Sequence, residues 1–425
     1  MKKSIKKIPF IPAILITAMF LAACGETAPE TAPADTAPAA SETETAEISE
    51  TELDYTPTTP EEFHRAMVTR SLYSMGDPTR LKAKIAKGRA GETVTMAFIG
   101  GSITEGVGGG NDGCYARLTA DMFAEKFGCD VNYVNAGLSG TPSNLGVLRL
   151  SRDVLEKSPD IIFVEFAVND SQDKIAKESY ESLVKAALNA PGEPAVILLF
   201  NVTEEGYTAQ AHMKQIGEFY ELPMISAADA LTAEFEEGRM TWQDYSDDHS
   251  HPNRNGHSLI CEFVRHLFEA ADDMDEPGEY TVKPGEVFGA PYADTTLVTP
   301  VYNGGDNVTV EETGAFIPVS SGTSGFPESW QLSGENGGSM KMTVNGNALF
   351  VIFKRDKSAD RGSFDVYLDG EKLSTVNTDQ PDGWGEAFSK QIIKFQTVRE
   401  MNIEIRPSEG SEDKKIDILG IAVSR

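Results

Sequence analysis

Residues 93–106 read Thr-Val-Thr-Met-Ala-Phe-Ile-Gly-Gly-Ser-Ile-Thr-Glu-Gly, an apolar run that ends in two glycines and a serine. A short apolar run bounded by glycine is typical of a buried strand. The glycines predict a tight turn between this strand and a helix, because glycine tolerates conformations that crowd other residues. Such a turn would expose the hydroxyl and the backbone N–H of Ser102, which makes Ser102 a candidate nucleophile.

Further apolar runs follow along the chain, alternating with segments of helical periodicity. The strand-like runs are residues 131–134, 161–166, 195–200 and, more weakly, 223–225, and the helical segments are residues 60–74, 79–87, 116–127, 145–157, 179–188, 209–220 and 256–271. Nearly continuous apolar strands separated by amphipathic helices indicate a parallel sheet covered on both faces. In such sheets the chemistry lies at the carboxyl ends of the strands.

Three more segments with chemically useful residues lie at strand ends or in a late loop. They read Asn-Ala-Gly-Leu-Ser-Gly-Thr-Pro (residues 135–142), Ala-Val-Asn-Asp (residues 167–170) and Asp-His-Ser-His-Pro (residues 248–252). Together with the glycine turn they supply the groups of a serine esterase, without any need for a metal or an organic cofactor.

Each group has an expected role. Ser102 is predicted to be the nucleophile, His251 its base, and Asp248 the carboxylate that orients the imidazole. The backbone N–H groups of Ser102 and Gly140 and the side-chain amide of Asn169 are the predicted oxyanion donors. A purely structural role for Asn169, as a cap at the strand end, is the alternative. Asp170, the next residue, is expected to be structural.

Two other kinds of site are the alternatives to a serine esterase. Residues 100–113 are rich in glycine but lack the Gly-Lys-Ser/Thr ending of a phosphate-binding loop. A metal cluster is the second alternative, and its ligands would be Asp247, Asp248, His249, His251 and His257. Such a cluster leaves Ser102 without a role. His257 is expected to face solvent or to cap the last helix.

The four segments resemble the four blocks of the SGNH (GDSL-like) hydrolase family over about residues 65–275. Gly101 stands where that family often has Asp, and Ala167 stands where it often has Gly, but neither position supplies a catalytic atom. The resemblance implies a three-layer α/β/α, flavodoxin-like domain, assigned to residues 61–276, with acetylesterase-type activity. A chain ending near Glu276 would contain every catalytic block and is expected to hydrolyse small acetate esters.

Residues 277–425 show a different pattern, with many short alternating runs separated by turns. Asp369-Gly370 between two such runs is a hairpin signal. The pattern predicts an antiparallel β-sandwich of the jelly-roll kind. It resembles the sandwich of carbohydrate-esterase family two, although there that domain is N-terminal. Trp330 and Trp384 are candidates for stacking on sugar rings, unless both lie in the core.

These resemblances imply that the substrate is an acetylated carbohydrate and that the reaction removes its O-acetyl groups. A lipid-directed esterase, either a lysophospholipase or a thioesterase, is the first alternative on the same fold. The second alternative is a non-catalytic glycan-binding lipoprotein.

The N-terminus has the pattern of an export signal. Residues 1–23 contain four lysines and then an apolar stretch, residues 8–21, which is too short to span ~30 Å of hydrocarbon as a helix. The stretch ends at Leu-Ala-Ala-Cys-Gly, which resembles a bacterial lipobox with Cys24 as the lipidated residue. An ordinary secretory signal cut nearby is the alternative. The expectation is an extracytoplasmic protein held to the bacterial cell membrane only through this lipid.

Composition bounds the remaining possibilities. Residues 24–60 are rich in Thr, Ala, Pro and Glu, which predicts a disordered acidic spacer. The chain has 37 Lys and Arg against 66 Asp and Glu, a formal charge of −29, so nucleic acid is excluded as a general partner. Four cysteines are too few for a disulfide scaffold, and the pairing of Cys114 with Cys129 stays undecided. Nothing in the sequence indicates an oligomeric state.

Overall fold

Two sheets, one mostly parallel and one antiparallel, follow each other along the chain in the computed structural model. The structure describes residues 56–275, 278–333 and 338–425. The predicted signal peptide (residues 1–23), Cys24 and nearly all of the predicted spacer (residues 24–60) therefore lie outside the described residues. No helix in the described ranges combines the length and the apolar character that a membrane crossing requires.

The first sheet has six strands. They are β1 to β6, spanning Leu72–Ser74, Val94–Gly100, Val131–Gly137, Ile161–Glu165, Ala195–Phe200 and Met224–Ser226. Their order is β1-β6-β5-β4-β2-β3, and every pair is parallel except β1 with β6. Without β1, the order along the sheet is the 2-1-3-4-5 order of flavodoxin-like folds. The predicted α/β fold is confirmed.

Helices cover both faces of this sheet. They are α1 to α10, spanning Pro60–Ser71, Thr79–Arg89, Ser102–Glu105, Tyr115–Phe127, Ser143–Asp153, Lys174–Leu188, Gln210–Phe219, Ala227–Glu236, Trp242–Tyr245 and Arg254–Asp273. Side chains alternate along each strand, so Ala97 and Ile99 of β2 pack with α5, α6 and α7. Met96 and Phe98 point the other way and pack with α1, α2, α4, α8 and α10. We call residues 60–273 the α/β part.

The prediction of one helix over residues 60–74 is wrong at its end. Helix α1 stops at Ser71, and Leu72 pairs with Ile225 of β6 across the edge of the sheet. The partner strand lies far away in sequence, so local periodicity gives no sign of this pairing. The edge strand β1 therefore lies beside β6, the last of the parallel strands.

The second sheet has ten strands and makes up what we call the β part, residues 295–424. They are β7 to β16, spanning Thr295–Thr299, Tyr302–Asn303, Val308–Glu312, Phe316–Thr323, Phe326–Leu332, Met340–Asp356, Ser363–Leu368, Glu371–Asn377, Trp384–Pro407 and Asp417–Ser424. All pairs between them are antiparallel, as predicted. The predicted hairpin at Asp369-Gly370 joins β13 and β14, and both residues have the positive φ that a tight hairpin turn requires.

The β part shares a hydrophobic core with the α/β part. Along β12, Ala348, Phe350 and Ile352 pack into the cluster that contains the buried side chains of α5, α6 and α7. Their neighbours Leu349, Val351 and Phe353 point the opposite way, into a core made by the β part alone. A polar contact also joins the two parts, since Lys394 Nζ of β15 lies 2.8 Å from Glu178 Oε2 of α6. Residues 57–425 accordingly cluster as one compact unit.

Candidate active site

The turn after β2 is packed too tightly for any residue but glycine. A Cβ on Gly100 would lie 2.2 Å from Thr104 Oγ1, and a Cβ on Gly101 would lie 2.1 Å from Asn169 Oδ1. Helix α3 starts directly at Ser102, which is 6% exposed. The close approach of Asn169 gives a physical reason for Gly at position 101, where the resemblance leads one to expect Asp.

The structure brings the three predicted catalytic side chains together. His251 Nε2 lies 2.9 Å from Ser102 Oγ, and His251 Nδ1 lies 2.7 Å from Asp248 Oδ2. An ionised carboxylate only accepts hydrogen bonds, so His251 Nδ1 donates and Nε2 is free to accept the Ser102 proton. This is the arrangement that activates a serine hydroxyl for attack on an acyl carbon.

Asp248 is held as an anion by its own loop. Its Oδ1 accepts the backbone N–H groups of Ser250 and His251 at 2.8 Å and 2.7 Å. Desolvation favours the neutral acid, but these N–H groups and the His251 ring outweigh it and lower the pKa of Asp248 to about 2. The carboxylate therefore stays charged throughout the neutral pH range, where the imidazole needs it.

The predicted oxyanion donors lie on segments that contact the nucleophile turn. Asn169 lies against Gly101, as described above. Gly140 adopts φ +70°, in the loop after β3, and the N–H of Leu138 in that loop donates to Gly100 O at 3.1 Å. Thr141, which follows Gly140, closes the loop, because its hydroxyl donates to Leu138 O at 2.7 Å.

Asp170 has the structural role that was expected of it. Its Oδ1 accepts the N–H of Ser143 at 2.6 Å, at the start of α5, and so ties the Asn169 segment to the Gly140 loop. Burial raises the pKa of Asp170 to about 7. Among the described residues its Oδ2 has no hydrogen-bond partner, consistent with a carboxyl group that binds a proton easily.

Glu165 is a buried carboxyl group that sequence reasoning missed. It ends β4 beside Gly100, and the hydroxyl of Thr104 donates to its Oε2 at 3.1 Å. Burial raises the pKa of Glu165 to about 7, although donors including the Thr104 hydroxyl and the Gly101 N–H act against this. The available signal was an acidic residue closing an otherwise apolar strand, Ile-Ile-Phe-Val-Glu.

The residues of the alternative metal cluster do not assemble into one site. His251 is engaged by Ser102 and Asp248, and His249 is exposed. His257 is fully buried, contrary to the prediction that it faces solvent or caps the helix. Its Nδ1 accepts the N–H of Tyr115 at 3.1 Å, and its Nε2 donates to Val107 O at 3.0 Å, so it braces the glycine-rich loop. Burial lowers the pKa of His257. Within residues 56–275, 278–333 and 338–425, no three His, Cys, Asp or Glu side chains are placed to hold a metal ion.

Cysteine pairing, which the sequence left undecided, is absent at the two positions considered. Cys114 and Cys129 are both free thiols. Cys114 instead caps α4, with its sulfur accepting the N–H of Arg117 at 3.5 Å.

The β part reaches the mouth of the site through Trp384. This residue is 60% exposed, and its indole lies beside Gly140. A cavity of about 340 Å³ opens there, lined by residues from both parts of the chain. Its lining includes Leu138, Ser139, Thr323, Ser324, Lys354, Asp356, Trp384 and Glu386. Trp330, the other predicted sugar-stacking residue, is 5% exposed and belongs to the core of the β part, so that suggestion is wrong.

Comparisons with known proteins agree with this site. Residues 98–259 match the model of the GDSL-like Lipase/Acylhydrolase family. A comparison with curated protein sequences finds no match. The matched range includes Ser102, Gly140, Asn169, Asp248 and His251, and the likeness over residues 98–259 indicates a hydrolase of ester bonds.

Similar solved structures extend the likeness to the β part. Two crystal structures of a two-domain esterase active on acetylated mannans, one co-crystallized with mannopentaose, match with a TM-score of 0.73 and 24% identity. They cover 84% of this chain, and the match covers 97% and 98% of theirs. An acetylxylan esterase from Geobacillus stearothermophilus matches 41% of this chain, with a TM-score of 0.35 and 19% identity. The two-domain match establishes that the two parts occur together in one known fold.

Proposed function

We propose that this GDSL-like hydrolase removes O-acetyl groups from a polysaccharide or oligosaccharide through a Ser-His-Asp acyl-enzyme mechanism. The observation that carries the proposal is the continuous chain of contacts from Ser102 Oγ to His251 Nε2, 2.9 Å, and from His251 Nδ1 to Asp248 Oδ2, 2.7 Å. A serine at the start of a helix has no structural need for such a chain.

In the proposed mechanism, His251 takes the proton of Ser102 as the hydroxyl oxygen attacks the acetyl carbonyl carbon. The backbone N–H groups of Ser102 and Gly140 and the amide of Asn169 stabilise the oxyanion, and removing one such donor typically costs ~3 kcal/mol. The protonated imidazole then gives its proton to the departing sugar oxygen. Water activated by His251 hydrolyses the acetyl-serine, and acetate leaves.

Three observations support a carbohydrate as the carrier of the acetyl group. The cavity beside Gly140 has hydroxyl and charged side chains, such as Ser324, Lys354 and Asp356, which can form hydrogen bonds with the hydroxyls of a sugar. Trp384 offers an exposed aromatic face at the same place. The solved two-domain esterase that shares both parts is described as active on acetylated mannans, which supports the same substrate class.

The test compares substrates that separate this proposal from the alternatives. Acetate release is measured on acetylated mannan and acetylated xylan, and turnover is compared between p-nitrophenyl acetate and p-nitrophenyl octanoate. We expect acetate release and faster turnover of the acetyl ester. Faster turnover of octanoate would favour the lipid-directed esterase. No turnover of any ester, with glycan binding intact, would favour the non-catalytic lipoprotein.

The variant Ser102→Ala controls for the identity of the nucleophile. It should lose acetate release and keep the thermal unfolding midpoint of the wild type, because a single hydroxyl at a helix start contributes little packing. Activity above a few per cent of the wild type would mean that another group attacks the ester.

We also propose that the protein is exported and anchored to the bacterial cell membrane through lipid on Cys24. The support is the sequence alone, namely the basic start, the apolar stretch and Leu-Ala-Ala-Cys-Gly (residues 21–25). Cells grown with a clickable palmitate analogue should label the full chain, and Cys24→Ala should abolish both the label and recovery with membranes. Unchanged labelling of Cys24→Ala would contradict the anchor.

A further inference from the structure

The loop that carries Gly140 rests on the helix that carries Ser102. Within that loop, the N–H of Ser139 donates to Glu105 Oε2 at 2.8 Å, and the Ser139 hydroxyl donates to the same oxygen. The packing beneath is close, since a Cβ on Gly137 would lie 2.1 Å from the backbone nitrogen of Glu105. Glu105 lies at the last residue of α3, one turn after Ser102.

These two hydrogen bonds act directly on a predicted oxyanion donor. The N–H of Gly140 lies in the planar peptide unit that starts at Ser139, so its direction depends on the backbone conformation of Ser139, which these two bonds hold. Gly140 has φ +70° and no Cβ, so it adds little steric restraint at the other end of that peptide unit. The Glu105 carboxylate therefore supplies an external restraint that the glycine lacks.

The β part contacts the same carboxylate from the opposite side. The hydroxyl of Ser324, in the tip between β10 and β11, lies 3.4 Å from Glu105 Oε1. This tip is seated on the loop, since a Cβ on Gly325 would lie 3.1 Å from Leu138. Arg152 of α5 donates to Gly325 O at 2.9 Å and fixes the tip there. Glu105 thus connects the nucleophile helix, the Gly140 loop and the β part.

We propose that Glu105 is a positioning residue that aligns the Gly140 N–H with the oxyanion, and that the tip around Ser324 helps to hold it. The inference rests on the proposed ester hydrolysis at Ser102. An oxyanion donor acts on charge that develops only in the transition state, so its misalignment lowers kcat and leaves KM nearly unchanged. A displacement of about 1 Å at such a group costs up to roughly a hundredfold in rate.

The test measures kcat and KM for p-nitrophenyl acetate, with active serines titrated to completion by a fluorophosphonate. Glu105→Ala should lower kcat per titrated serine roughly ten- to hundredfold, with KM within about twofold of the wild type. Glu105→Gln keeps an acceptor oxygen for both Ser139 donors and should restore most of the rate. Ser324→Ala should cause a smaller loss of the same kind. Glu92→Ala, at an exposed glutamate just before β2, is the matched control and should leave kcat unchanged.

Ser139→Ala keeps the test decisive if Glu105→Ala fails to fold, because it removes one donor and leaves the backbone N–H in place. It should lower kcat per titrated serine with KM unchanged. The inference is overturned if the losses vanish once rates are divided by titrated serine, if KM rises at constant kcat, or if Glu105→Gln is no better than Glu105→Ala. A wild type that hydrolyses no ester would instead refute the proposed function itself.

Discussion

The indole of Trp384 lies against Gly140, so closely that a Cβ on Gly140 would come within 3.0 Å of Trp384 Cζ2. Gly140 belongs to the loop after β3 in the α/β part, and Trp384 begins β15 in the β part. The contact places residues of both sheets at the mouth of the candidate active site. An indole left 60% exposed at such a place is available to a substrate.

Trp384→Ala is predicted to weaken action on a polymer more than action on a small ester. Loss of a stacking face should raise KM for acetylated mannan several-fold, because contacts made equally in the ground and transition states affect binding rather than kcat. The rate on p-nitrophenyl acetate should stay within about twofold. Val301→Ala, at a β-part residue that is 57% exposed, is the control and should alter neither substrate. An equal loss on both substrates would assign Trp384 to the shape of the loop instead.

Asp248→Asn is predicted to abolish most of the activity without unfolding the protein. The amide oxygen can keep the N–H groups of Ser250 and His251, which turns the NH₂ group toward His251 Nδ1. His251 Nδ1 must then accept a hydrogen bond from this NH₂ group, so the imidazole proton moves to Nε2. His251 Nε2 can then no longer take the proton of Ser102. By analogy with other triads kcat should fall about 10³- to 10⁴-fold.

The matched control for this prediction is Asp247→Asn. Asp247 is an exposed neighbour whose carboxylate contacts Asn253 Nδ2 at 3.3 Å, away from the triad. The activity of Asp247→Asn on p-nitrophenyl acetate should remain near that of the wild type. Equal rates for the two Asn variants would rule out Asp248 as the orienting carboxylate.

The buried carboxyl group of Asp170 should make the folded state less stable as pH rises. Its pKa is about 7 in the folded chain but near the ordinary value of about 3.9 when unfolded. Between these values the native state binds more protons, so the free energy of unfolding falls as pH increases through this window. Asp170→Asn carries no such proton and should lose the part of this decline that Asp170 causes, while its oxygen still accepts the Ser143 N–H. Glu165, whose pKa is also raised to about 7, should keep its own part.

Urea unfolding at pH 5 and pH 8 measures this effect. The variant should gain stability relative to the wild type at pH 8, on the order of a few kcal/mol, and less than half as much at pH 5. Asp173→Asn is the control, since hydrogen bonds led by the Ala176 N–H lower the pKa of Asp173. That carboxylate stabilises the fold at both pH values, and replacing it should leave the difference between them unchanged. A parallel pH dependence for wild type and Asp170→Asn would contradict the prediction.

The candidate catalytic groups could be predicted from sequence because the order of the strands brings most of them together. Ser102, Asn169 and the Gly140 loop each follow an apolar strand, and parallel strands bring their carboxyl ends to one edge of the sheet. His251 and Asp248 are three residues apart, close enough for one loop to hold the imidazole against the carboxylate. The positions of the side chains thus follow from local patterns and one rule of topology.

Other features depend on packing between segments that local patterns do not relate. The β1 edge strand needs β6, and the contact of Trp384 with Gly140 needs the docking of two sheets. His257 looked like a surface histidine because its burial comes from Tyr115 and the loop at Val107. The assignment of residues 61–276 and 277–425 to separate domains likewise gave no indication that the two share a core.

That shared core changes what is expected of the α/β part alone. A chain ending at residue 275 contains Ser102, Asp248 and His251, and sequence alone predicts that it hydrolyses small acetate esters. In the structure, however, Phe350 and Ile352 of β12 pack with the buried side chains of α5 and α6. Removing the β part would leave this apolar surface exposed to water, and exposed patches of that kind promote aggregation.

We therefore expect the truncated chain to aggregate and to lose activity on p-nitrophenyl acetate and acetylated mannan together. Size-exclusion chromatography and activity per titrated serine measure both outcomes on the same sample. The full chain carrying Trp384→Ala is the control, since it removes the aromatic contact while leaving the shared core covered, and it should stay monodisperse. A soluble truncated chain with the full rate on the small ester would show that the α/β part folds independently. It would also show that the β part matters only for polymeric substrates, because the contact of Ser324 with Glu105 would then be dispensable for the chemistry at Ser102.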